Sequence, residues 1–157
     1  MAMQCMTVKA ILVAGGYGSR LLPFTRYTQK TLLPLHERPV IDYALGTIRR
    51  AGIKDITIIS NQFVGQIAKH VGQGLPGERI HYVIEEEPLG VAHALNLARP
   101  YNTDARLMVY FSDNITTIEF GEHVASFEDA KDPPGCLLIA REAVSYTHLT
   151  LPTRRFV

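Results

Sequence analysis

Val8-Lys-Ala-Ile-Leu-Val-Ala14 is a short, nearly continuous apolar run that stops at Gly15-Gly16 and continues as Tyr17-Gly18-Ser19-Arg20. A run of that length with that stop reads as a strand buried on both faces. Further along, Pro39 opens a segment in which Val40, Ile41, Ala44, Leu45 and Ile48 recur at helical spacing, with Gly52 just past its end. Proline at the start and glycine beyond the finish are the expected punctuation of a helix. Ile53 to Ile59 reads as a second strand, and Ser60 or Asn61 can cap a helix over Gln62 to Val71.

The alternation continues after the turn Gly72-Gln-Gly-Leu-Pro-Gly77. Strands are predicted at Ile80 to Glu85, Arg106 to Phe111 and near Cys136 to Ala140, with helices over Gly90 to Arg99 and Gly121 to Ala130. Strands alternating with helices on this spacing imply βαβ units, so the expected class is α/β, doubly wound around a mainly parallel sheet. No internal repeat or low-complexity tract interrupts it.

From Val144 the text loses helical period, alternation and turn logic, and it resembles a translated sequencing adapter. The expected division is therefore residues 1–143, the N-terminal part of a domain, and residues 144–157, a non-native tail.

The chain has 157 residues, 46% hydrophobic and 20% charged, enough for one domain with a sizeable core. Sixteen basic against fifteen acidic residues give a net charge of +1, no bulk argument for nucleic acid or an anionic membrane as partner. No apolar run approaches a membrane span, and the N-terminus lacks the pattern of a signal peptide. Cys5 and Cys136 stand far apart, which argues against a zinc site or disulfide framework and points to a reducing cytoplasm.

The glycine loop carries the chemistry. Glycines let the backbone turn sharply and bring its N–H groups against phosphate oxygens without a Cβ in the way. Arg20 adds a planar fork suited to phosphate, and Lys30 a point charge. Two familiar phosphate loops are excluded. A Walker A loop needs glycine before its lysine, and here Gln29 precedes Lys30; the dinucleotide fingerprint needs a third glycine, and Leu21 follows Arg20 instead. Read alone, the motif also fits a glycine-rich turn with two surface cations.

The wider text, from Lys9 through Arg20-Leu-Leu-Pro-Phe-Thr25 to Lys30-Thr-Leu-Leu-Pro34, Arg38-Pro-Val-Ile41 and Ala51-Gly-Ile53, closely resembles the sugar-phosphate nucleotidyltransferases, nearest to the thymidylyl-transferring members. The likeness runs on through Glu87-Pro-Leu-Gly-Val-Ala-His-Ala94 and Ser112-Asp-Asn114, covering about residues 8 to 143. Ser19 replaces the family's usual threonine and keeps a hydroxyl.

The resemblance implies Mg²⁺-dependent transfer from a nucleoside triphosphate, dTTP being expected, to a sugar 1-phosphate, expected to be glucose 1-phosphate, by a homo-oligomeric full-length protein. Ala14, Gly15, Gly16, Gly18 and Ser19 would wrap the triphosphate. Arg20 and Lys30 would act on the reacting phosphates, and Asp113 would ligate Mg²⁺. Glu85 stands where these members usually present a base-reading glutamine, with Gly90 beside the base as the other candidate. As residues alone, Glu85-Glu86-Glu87 reads as a solvated charge run, and Asp113-Asn114 as a turn or helix cap.

The resemblance also places sugar-binding residues and a second metal-binding aspartate after position 143. The chain as written is therefore expected to bind nucleotide weakly, to catalyse poorly or not at all, and to aggregate through an exposed sheet edge. The competing reading is a binding or regulatory module that keeps the fold and lacks the chemistry, against which intact Arg20, Lys30 and Asp113 argue. A nucleotide-sugar-dependent glycosyltransferase would usually carry Asp-x-Asp, which Ser112-Asp113-Asn114-Ile115 is not.

Overall fold

The computed structural model describes residues 7–103 and 105–130. The strand anticipated near Cys136, the tail from Val144 and both cysteines lie outside the described residues. Val8–Ala14 forms β1, matching its expected bounds. Two two-residue strands, β2 (Pro34–Leu35) and β3 (Arg38–Pro39), pair antiparallel as a small separate sheet. There follow α1 (Val40–Arg50), β4 (Asp55–Ser60), α2 (Val64–Val71), β5 (Arg79–Ile84), α3 (Val91–Ala98), β6 (Arg106–Phe111) and α4 (Gly121–Asp129).

The main sheet is wholly parallel among the described residues, in the order β5-β4-β1-β6. All six residues of β4 are buried, as an inner strand of a sheet covered on both faces requires. On one face Ile41, Ala44, Leu45 and Ile48 of α1 and Ile67 of α2 pack on Ala10, Leu12, Ile56 and Ile58, with α4 joining through Val124 and Phe127. On the other, Ala94 and Ala98 of α3 cover Ile11, Ile59 and Val83. Residues of one strand therefore alternate between the two cores, the period-2 rule of a strand. The doubly wound α/β class read from the sequence is the class observed. No helix among the described residues is long and apolar enough to cross a membrane.

Several boundaries differ by a residue or two. The second helix begins at Val64 rather than Gln62, because Asn61 Oδ1 accepts the Phe63 N–H at 2.9 Å and holds a turn ahead of the helix. Gly52 has φ +84, the left-handed conformation that lets the chain leave α1 after Ala51.

The chain winds outward from β1 to β4 to β5, and then crosses back over the other face to place β6 on the far side of β1. The order therefore reverses between the neighbouring strands β1 and β6, and in open α/β sheets ligands bind in the crevice outside the carboxyl ends at such a switch point.

The return from α2 to β5 is fastened to α1 by a buried carboxylate. Arg49 donates to Glu78 Oε1 at 2.8 Å and to Oε2 at 3.0 Å, and the Leu75 N–H donates to Oε2 at 2.7 Å. The Arg49 guanidinium holds the Glu78 carboxyl below its ordinary value of 4.5 against a burial that pushes it up, and the Leu75 amide adds to the lowering. A carboxylate with a lowered folded value stabilises the fold above its unfolded value, and that stability is lost as pH falls through the folded value. Glu78→Gln should therefore cost about 1.5–3 kcal/mol near neutral pH. The gap between wild type and variant should shrink as pH drops below 4.5, measured by denaturant unfolding across that range. A gap constant with pH would contradict it.

Candidate functional site

Beyond β1 the chain runs through Gly15-Gly16-Tyr17-Gly18, and at two of these positions a side chain would crowd its neighbours. A Cβ on Gly18 would lie 2.8 Å from Lys30 Cβ and 2.9 Å from Thr25 Cγ2, and its φ of +62 is itself left-handed. Thr25 Oγ1 donates to the Gly18 carbonyl at 2.7 Å, so loop and following segment are tied together. A Cβ on Gly15 would lie 2.5 Å from Glu85 Oε2. Tyr17 is half exposed, its hydroxyl donating to the Glu86 carbonyl at 3.4 Å.

Across the loop, Ser112 and Asp113 follow directly on β6. The Ser112 N–H donates to the Val13 carbonyl at 3.0 Å, extending the ladder by one residue, and Asn114 N–H returns to Phe111 at 3.0 Å. That tight turn presents Asp113 at the carboxyl edge of the sheet, where Lys30 Nζ meets its Oδ2 at 2.5 Å. Between loop and turn lies a cavity of about 220 Å³, lined by Val13 to Gly16, Lys30 and Phe111 to Asp113. It sits at the switch point between β1 and β6.

The structure thus brings together Ala14, Gly15, Gly16, Lys30 and Asp113, and sets Gly18 against Lys30. It does not gather every candidate. Arg20 stands exposed on the 3₁₀ turn Ser19–Leu21, outside the cavity lining and without an ion pair among the described residues. Ser19 is exposed, and Gly90 lies apart from the cavity as the residue before α3, with φ +103.

Glu85 requires a correction. The charge run is solvated only at Glu86 and Glu87; Glu85 is 4% exposed, with Oε1 buried and lacking a hydrogen-bond partner among the described residues. Its N–H donates to the Ser60 carbonyl at 2.7 Å, so it prolongs β5 by one residue and points to the same side as buried Val83.

No group of three or more His, Cys, Asp or Glu able to hold a metal occurs among the described residues. One half-exposed carboxylate at the mouth of a cavity does fit a Mg²⁺ held mainly by phosphate oxygens and water.

Sequence reading missed the wall behind the loop. Gln29 and Asn61 are almost completely buried, and with Ser60 they bond the carbonyls of Ala14 and Gly15. Asn61 was legible only as a helix cap, and Gln29 only as a departure from a Walker loop.

The nucleotidyl transferase family profile matches residues 9–146. A glucose-1-phosphate thymidylyltransferase of Streptomyces antibioticus is 33% identical over 147 residues, covering 93% of this chain and 39% of the relative. The low-salt glycan biosynthesis nucleotidyltransferase Agl11 of Haloferax volcanii is 35% identical, over 83% of this chain and 37% of its own length. A crystal structure from Bacillus anthracis assigned to glucose-1-phosphate thymidylyltransferase, in complex with a sucrose, superposes with a TM-score of 0.74 at 33% identity, over 80% of this chain and 52% of that one. The chain thus spans well under half the length of these curated relatives and about half of the solved one. Fold, switch-point cavity and matched text agree that this chain belongs to the nucleotidyl transferase family.

Proposed function

We propose that the protein transfers a nucleotidyl group from dTTP to glucose 1-phosphate, forming a nucleotide-sugar and releasing pyrophosphate. The observation that carries this reading is the cavity at the switch point, where a glycine loop faces a lysine and an aspartate joined at 2.5 Å. The relatives' activity supports the choice of dTTP and glucose 1-phosphate. In the reaction, an oxygen of the sugar phosphate attacks the α-phosphorus in line; the new P–O bond forms as the bond to the leaving pyrophosphate breaks. The attacking oxygen is already anionic and needs no general base, so the protein's part is positioning and charge neutralisation.

Lys30, 26% exposed at the cavity rim, is placed to meet phosphate once it leaves Asp113. Asp113 would hold Mg²⁺, which when bound neutralises charge on the triphosphate. Arg20 would swing from its exposed turn onto the departing phosphates. In the full-length protein, Arg20→Ala and Lys30→Ala should each lower turnover about a hundredfold or more, the usual effect of removing one contact to developing charge. Thermal melts should barely move: Arg20 is exposed and makes no ion pair among the described residues, and a partly exposed pair such as Lys30–Asp113 adds about 0–1 kcal/mol. Pyrophosphate release assayed beside the melts checks this, and unchanged turnover in both variants would remove the assigned roles.

The buried, unpartnered Oε1 of Glu85 supports its assignment to the base. A carboxylate only accepts, so it can take the N3–H of thymine but offers nothing to the neighbouring carbonyl, whereas a glutamine serves both. Glu85→Gln should therefore shift preference toward dTTP and UTP relative to CTP and GTP by about 1–3 kcal/mol, the usual cost of one unmade bond in a desolvated site. Comparison of kcat/KM for the four nucleotides in both proteins is the measurement. An unchanged order and magnitude would exclude Glu85 from base reading and leave the base to backbone around Gly90.

A further inference from the structure

We infer that Gln29 and Asn61 are positioning residues: a buried carboxamide clamp that turns the amides of Gly15 and Gly16 outward to receive the triphosphate. This rests on the nucleotidyl-transfer reading and adds to it the device that aims the loop. The two side chains are 1% and 2% exposed. Gln29 Nε2 donates to the Ala14 carbonyl and, at 3.2 Å, to Ser60 Oγ. Asn61 Nδ2 donates to the Gly15 carbonyl at 3.2 Å and to Gln29 Oε1 at 3.4 Å, while Asn61 Oδ1 accepts the Phe63 N–H. Because the two loop carbonyls need donors and the Phe63 amide needs an acceptor, only one orientation of each carboxamide satisfies the network.

The geometric consequence is direct. In a trans peptide the carbonyl of one residue and the N–H of the next point in opposite directions. Both peptides concerned are trans. With the carbonyls of Ala14 and Gly15 drawn back onto the clamp, the N–H groups of Gly15 and Gly16 are turned toward the opposite side, where Lys30 and Asp113 line the cavity. Successive outward amides form an anion-binding concavity. A loop free to rotate these peptides would instead present a carbonyl oxygen to the phosphate.

The clamp is also tied to Lys30. Gln66 of α2 accepts the Gln29 N–H at 2.9 Å and donates to the Tyr27 carbonyl at 2.7 Å, bracing the segment that leads into Lys30. The backbone that holds the clamping side chain therefore also sets the position of the cation beside it.

The test uses isosteric loss of the donors in the full-length protein. Asn61→Asp keeps the acceptor for Phe63 and removes the donor to Gly15; Gln29→Glu removes the donors to Ala14 and Ser60. Affinity for inorganic tripolyphosphate and for dTTP should fall about tenfold or more in each variant. The KM for glucose 1-phosphate should stay within about twofold, because no contact to the second phosphate runs through these two amides. Leu45→Ala, in the core away from the loop, is the control that lowers the melting temperature and leaves both constants unchanged. In the wild type, the Gly15 and Gly16 amide resonances should move when tripolyphosphate is added, a readout that stands even where a variant fails to fold. Unshifted amides, unchanged affinity in folded variants, or equal loss of both substrates would overturn the clamp while leaving nucleotidyl transfer standing. A wild type that binds neither dTTP nor tripolyphosphate would overturn both.

Discussion

β1 has a neighbour on each side and a helical layer on each face, so nearly every group along it must be paired or packed. A buried backbone amide or carbonyl left unpaired costs as much as a lost hydrogen bond. Within the strand the ladders to β4 and β6 meet that demand. At Ala14 the strand ends while the surroundings stay buried, and the obligation passes to side chains. Gln29, Ser60 and Asn61 are the answer to that obligation, and the glycine loop inherits its geometry from the way they meet it.

The same end of β1 explains why the loop's glycines are not interchangeable. At Gly18 a left-handed φ and the crowding of Lys30 and Thr25 both exclude a Cβ. Gly15 has a different reason: Glu85 occupies the space a side chain would need. At Gly16 the nearest atom to such a Cβ would be Lys30 Nζ at 3.6 Å, an ordinary contact, so bare backbone there serves access rather than packing. One glycine turns the chain, one admits a buried carboxylate, and one leaves the approach to the cavity open.

Charge at the site is balanced before any substrate arrives. Lys30 and Asp113 neutralise one another across the cavity mouth, and both remain partly accessible to solvent. An exposed pair of that kind contributes little stability, so exchanging partners costs little. Arg20, exposed on its turn, stands with Ser19 and Gly90 outside the cavity lining.

The order of strands and helices, and most of their bounds, was legible in the sequence because burial on two faces leaves continuous apolar runs and one-faced helices leave a 3.6-residue rhythm. Val8–Ala14 and Arg106–Phe111 are the clearest cases. The glycine loop, Lys30 and Asp113 were singled out for another reason: alone they also fit a glycine-rich turn with surface cations and a turn or helix cap, and it was the resemblance of the wider text that gave them expected roles. What the sequence did not determine was which polar residues face inward. Glu85 reads as the first of three solvated acids, although the expected strand reaches it; only the packing shows that it shares the inward side with Val83, its carboxylate beside Gly15. Gln29 and Asn61 are 32 residues apart and follow no period, and they meet only because β1 and β4 lie side by side with α2 packed behind the loop. Pairings of that separation are created by sheet register and helix docking, which belong to the tertiary structure and leave no trace in local sequence.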